Sequence, residues 1–128
     1  MNIFVRTLTL LTVFFFVLQL FGPKGTRVHI VKGVLVGVFA LLSIIVNTAW
    51  IAFTRGLIWD FPFLIHIGFG AAFLFAWYLT ALSGRESMQN PKVKRWHRFF
   101  AWMQGIYLFL TIVAGIMIPH LRNFISAN

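Results

Sequence analysis

Apolar residues in this chain do not alternate with polar ones; they run together in four long blocks separated by three short polar gaps. Crossing a hydrocarbon core of about 30 Å takes roughly 20 helical residues, and the blocks from Ile3 to Phe21, His29 to Phe53, Phe61 to Ser83 and Arg98 to Ile118 suit that length. The gaps carry helix-halting residues. GPKGT at 22–26 cannot continue a helix, TRGLIWDFP at 54–62 holds Gly, both charge signs and a Pro suited to a first helical turn, and SGRESMQNPK at 83–92 is a polar turn. Short gaps make sequential helices antiparallel neighbours. The pattern therefore predicts an all-α, integral membrane four-helix up-down bundle, one transmembrane domain over residues 1–128 with spans at about 3–21, 29–53, 61–83 and 98–118. It shows no soluble domain and no internal repeat. Arg6 ahead of an apolar run resembles a secretory signal, but QLFGPKG offers no small-residue cleavage site, so the first block is read as the first span.

Composition strengthens this reading. Hydrophobic residues make up 60% of the 128 and charged residues 10%, outside the range of soluble domains. The net charge of +9, from 11 Lys and Arg against 2 acids, would suit a nucleic-acid binder if the positives formed a face. They sit in the gaps instead, so they report topology and no nucleic-acid partner is expected. Lys24, Arg27, Lys32, Arg85, Lys92, Lys94, Arg95 and Arg98 fall on one side, and Arg6, Arg55 and Arg122 on the other. The side with eight is expected in the cytoplasm, placing the protein in the inner (cytoplasmic) membrane with both termini outside. Trp96 suits the interfacial aromatic belt on the cytoplasmic side, and the loop with Trp59 and Asp60 faces outward.

The chemistry is bounded by what is missing. With no cysteine there are no disulfides, thiolate nucleophiles or Cys-held metal centres. Asp60 and Glu86 are the only acids and both lie in gaps, so no carboxylate serves a proton relay or cation path inside the bilayer. Four histidines remain. His29 opens the second span and His97 the fourth, both at the cytoplasmic end; His66 lies roughly 9 Å into the third span from Asp60 by helical rise, and His120 follows Pro119 at the outer end of the fourth. Paired by level, His29 with His97 and His66 with His120, they suit bis-imidazole ligation of haem b, one or two per chain, with Met117 an alternative to His120.

The neighbouring positions favour the first pair. His29, Gly33, Gly37, Ala40 and Asn47 share a face, and His97, Gln104 and Thr111 recur every seven residues beside Ala101, Leu108 and Gly115. The third span carries His66, Gly70, Phe73 and Trp77. Arg95, Arg98 and Lys94 suit the propionates, and their charges keep His97 neutral and its nitrogen free for iron. A plainer account stands beside this one: interfacial histidines are common, Gly-x-x-x-Gly packs helices, and Gln or Thr bonds across them. On the first span Arg6, Thr9, Thr12 and Gln19 anchor or pack the helix.

HIVKGVLVGVFALLSIIVNTAWIAF, FLIHIGFGAAFLFAWYLTALSG and VKRWHRFFAWMQGIYLFLTIVAGIMI together resemble a family of small four-helix bacterial membrane proteins of poorly defined function, some linked to maturation of haem-copper oxidases. More distantly they resemble di-haem transmembrane cytochromes b. The shared pattern is a His heading one span, HI early in the next, and HR before a span ending in Thr and Gly, over residues 29–118. The resemblance implies His29, His66 and His97 as functional residues, the metal ligands to haem iron, with Arg98 following His97. The expected function is electron transfer by bound haem b as part of a respiratory or photosynthetic membrane complex, with the lipid bilayer, other redox subunits and a quinone as partners. The alternative is a non-redox assembly factor or accessory subunit of such a complex.

Overall fold

A computed structural model of the chain describes residues 3–21, 24, 26–55 and 60–126, apart from the side chains of Thr54, Arg55 and Ser126. The described residues form four helices and no strand: α1 (Ile3–Phe21), α2 (Arg27–Arg55), α3 (Phe61–Ser87) and α4 (Val93–Ser126). All four are long and apolar enough to cross a membrane. Gly22, Pro23 and Gly25 of the first gap, and Trp59 of the second, lie outside the described residues.

Three helices outrun the apolar blocks that predict them, because main-chain hydrogen bonding continues past the point where hydropathy falls. The Thr26 hydroxyl accepts the His29 amide at 3.3 Å and starts α2 at Arg27. Asp60 caps α3 by accepting the Phe63 amide at 3.0 Å, with Pro62 in the first turn where a missing N–H costs nothing. At the start of α4 the Val93 amide bonds the Asn90 carbonyl at 3.1 Å, so Lys94, Arg95 and Trp96 are helical. The expected stop at Ile118 is overrun as well. Pro119 removes one N–H, yet α4 continues to Ser126, and one turn beyond the proline Arg122 forms an ion pair with Asp60, tying the extension to the head of α3.

The helices associate as two antiparallel hairpins. α1 packs along α2 and α3 along α4, while α2 meets α3 over a much smaller area. In the first hairpin the Thr9 and Ser43 hydroxyls bond at 3.1 Å and the Phe15 and Phe39 rings stack at 5.4 Å. The hairpins join around Val36, Ala40 and Phe73, with Phe16, Trp77 and Leu108 packed against them. Trp77 makes the tightest join: its indole N–H donates to the Gly33 carbonyl at 2.8 Å, and its ring fills the space a side chain at Gly37 would need. Polarity is distributed opposite to that of a water-soluble bundle. Thr12, Thr80, Ser83 and Gln104 are buried, while Phe53, Trp102 and Phe109 lie exposed.

Candidate functional site

Two histidines staple α3 to α4, one at each end of the hairpin. His97 Nδ1 lies 3.0 Å from the Thr80 carbonyl, and His66 Nδ1 lies 2.9 Å from the Thr111 carbonyl. A carbonyl only accepts, so both Nδ1 atoms carry the proton, and in the neutral ring Nε2 keeps a lone pair. The local sequence explains why a carbonyl already used within a helix remains reachable. Four residues after each acceptor stands a glycine, where the helix bares its backbone. A Cβ at Gly84 would come within 3.1 Å of His97 Cε1, and one at Gly115 within 3.0 Å of His66 Cε1. Each threonine hydroxyl turns back onto its own helix, Thr80 to Ala76 at 2.7 Å and Thr111 to Tyr107 at 2.6 Å, leaving its carbonyl to the histidine.

The staples share one spacing, His-x13-Thr-x3-Gly, running His66, Thr80, Gly84 on α3 and His97, Thr111, Gly115 on α4, with a constant offset of 31 residues. Because the helices are antiparallel, each histidine meets the threonine and glycine of the other copy.

At the basic end, where both hairpin turns lie, a second histidine approaches. The His29 ring on α2 sits 6.4 Å from the His97 ring on α4, centroid to centroid, with the planes 73° apart. His29 Nδ1 is buried with no partner, as is Gln19 Oε1 on α1. Gln19 lies against Gly33, one turn along α2 from His29, so two orphaned polar atoms flank the region where the histidines face each other. A third, Gln104 Nε2, belongs to a side chain that is 1% exposed on α4. Such atoms are costly in a low-dielectric interior and point to polar occupants. Among the described residues no three His, Asp or Glu side chains gather to hold a metal ion, so the facing pair offers two nitrogens and no more.

The remaining candidates lie elsewhere. His66 meets α4 at Gly115, five residues or about 7 Å short of His120 along the helix; His120 is exposed, and so is Met117. Arg95 and Arg98 are exposed. Arg95, two residues and about 200° around α4 from His97, lines a cavity with Trp96 and Phe99, so it does not share the face of the histidine pair. At the opposite end of the hairpin the Arg122 guanidinium, more than any other group, holds the Asp60 carboxyl below the usual carboxylate range, and the Phe63 amide adds to this.

Sequence reasoning singled out the histidines and placed Thr111 and Gly115 on the α4 stripe, but missed Thr80, Gly84 and Gln19 as their neighbours. Main-chain acceptors have no letter of their own; the signal available was the repeated His, Thr and Gly at one offset. Comparison of the chain with protein-family models, with curated proteins and with solved structures finds no match.

Proposed function

We propose that this is a multi-pass protein of the inner membrane that holds one haem b between His29 and His97 and passes electrons within, or to, a larger membrane complex. The facing of His29 and His97 from two different hairpins carries this reading. Their ring centroids lie 6.4 Å apart, close enough for the two side chains to hold one group together. Two nitrogens alone are too few for a bare ion, whereas haem would need only such a pair from the protein. The residues present fit haem in donor type and number, His29 and His97 being the two that would hold it.

Bound haem supplies reversible one-electron chemistry. The chain supplies the rest. Thr80 accepts the Nδ1 proton of His97, fixing the ring's tautomer and orientation and raising the basicity of Nε2, as partners behind metal-bound histidines do. Val36 and Phe73 close the interior against water. Four helices of membrane-crossing length with large exposed apolar side chains support bilayer embedding. The excess of positive residues at the basic end supports a cytoplasmic placement for that end, with both termini outside.

One observation favours the non-redox reading, an assembly factor or accessory subunit. His66 makes the same staple as His97 with no second histidine opposite, so a staple alone needs no iron. Absorption spectra of the oxidised and reduced protein, purified in mild detergent and measured with haem content per chain, separate the two. The haem reading expects a low-spin b-type spectrum near one haem per chain. A colourless, folded preparation from haem-replete cells overturns it and leaves the accessory role.

A further inference from the structure

The outward side of α3–α4 is built unlike the rest of the apolar surface. A cavity of about 190 Å³ opens between the helices in the half of the hairpin nearer the basic end, over Ala72 and Ala76 of α3 and flanked by Phe100, Met103 and Tyr107 of α4. Ala76 is 4% exposed and forms its floor. Phe99 lines this cavity and also a second one of about 510 Å³, which it shares with Trp96 and Arg95 at the basic rim. The two form one track on one face, apolar along its length and cationic at its end. From Tyr107 to Arg95 is twelve residues of α4, about 18 Å of helix, against about 15 Å for half of the hydrocarbon core. The track therefore has the length of one leaflet and the polarity order of one lipid: hydrocarbon first, an interfacial indole next, and a positive charge at headgroup level.

We propose that this track binds one anionic phospholipid of the leaflet at the basic end. An acyl chain lies on Ala72 and Ala76 between Phe100 and Met103, and the phosphate meets the Arg95 guanidinium beside Trp96. The charge fits the ligand: Lys94 and Arg98 flank Arg95 with further positives, both exposed, and the single neighbouring acid, Glu86, leaves the rim strongly basic. Arginine suits this position because its planar fork matches phosphate oxygens in pairs, and basic pockets beside helices on the cytoplasmic side are recognised sites for anionic headgroups. The small floor matters equally, since a leucine at Ala72 or Ala76 would occupy the volume of the chain. This inference rests on the bilayer placement proposed above and is independent of haem.

The test is lipid retention by native mass spectrometry of the full chain, taken from nanodiscs of equal parts phosphatidylglycerol and phosphatidylcholine. The wild type is expected to carry one phosphatidylglycerol in preference to phosphatidylcholine by roughly fivefold, the factor one cation near the surface contributes. Arg95→Gln should remove the preference, whereas Lys92→Gln, an equal loss of charge off the track, should leave it. Ala72→Leu should lower retention of both lipids; if that variant fails to fold, by helical circular dichroism, the two charge variants decide. Equal retention of both lipids by the wild type, or an equal fall in Arg95→Gln and Lys92→Gln, overturns the proposal. A chain that cannot be incorporated into nanodiscs at all refutes the bilayer placement instead.

Discussion

At one end of the α3–α4 hairpin, His97 lies on Gly84 and donates to the Thr80 carbonyl with His29 facing it; at the other, His66 lies on Gly115 and donates to the Thr111 carbonyl with no histidine opposite. The hardware is the same and the company differs. His66 thus serves as an internal control for His97, showing how much of the arrangement helix packing alone accounts for. What packing leaves over is His29, which reaches in from the other hairpin and holds a buried nitrogen with no partner.

The largest expected effect breaks the two ends apart. His29→Leu should abolish the b-type absorption while leaving the thermal unfolding temperature in detergent nearly unchanged, because His29 Nδ1 has no hydrogen bond to lose and Leu is well tolerated in a bilayer. His97→Leu should abolish absorption and lower stability together, and His66→Leu should lower stability only. Unaltered absorption in His29→Leu would leave both histidine ends equally structural.

Next come the glycines. Gly84→Leu and Gly115→Leu each push atoms into a histidine ring already within about van der Waals reach, and overpacking of that kind costs about 1–3 kcal/mol. Unfolding in detergent should show similar losses for both, with the redox spectrum disturbed only by Gly84→Leu. A smaller change is expected of His66→Leu alone, about 0.6 kcal/mol and at most roughly 1.7, the range of interhelical hydrogen bonds measured in membranes.

The smallest effect lies at the Asp60–Arg122 pair. Asp60→Asn keeps a side-chain acceptor for the Phe63 amide and loses the ion pair, costing about 0–1 kcal/mol because both partners are partly exposed; Asp60→Ala loses the cap as well, about 1 kcal/mol more. The folded-state pKa of Asp60 is depressed, so its contribution is present above the ordinary carboxylate range and fades as the pH falls through the lowered value, below about pH 4. Acid titration of helicity should show that loss in the wild type and not in Asp60→Asn.

Much of this fold was written in the hydropathy of the chain, because four runs of Phe, Leu, Ile and Val have few alternatives to four long helices. The ends were less legible. Hydropathy marks where hydrocarbon stops, whereas α4 begins when Val93 finds the Asn90 carbonyl and passes Pro119 where Arg122 finds Asp60. The site divides in the same way. The common level of His29 and His97 follows from counting residues along two antiparallel spans. The level of His66 and His120 fails that count, because Pro119 does not end α4 and the register set by Asp60 and Arg122 carries His120 past His66. Arg95 is placed by the same helical count: two residues from His97 in sequence is nearly the far side of a helix.

Trp77 has a mechanical consequence. His97 is fastened to α3, while His29 travels with α2, and the hairpins bear on each other most closely where the Trp77 ring lies on Gly37 and bonds Gly33. The indole is a fulcrum. His29 stands eight residues, about 12 Å, from Gly37 along α2, so a tilt of about five degrees at the indole swings its ring by roughly 1 Å, and the gap between the two imidazoles becomes a gauge of the angle between the hairpins.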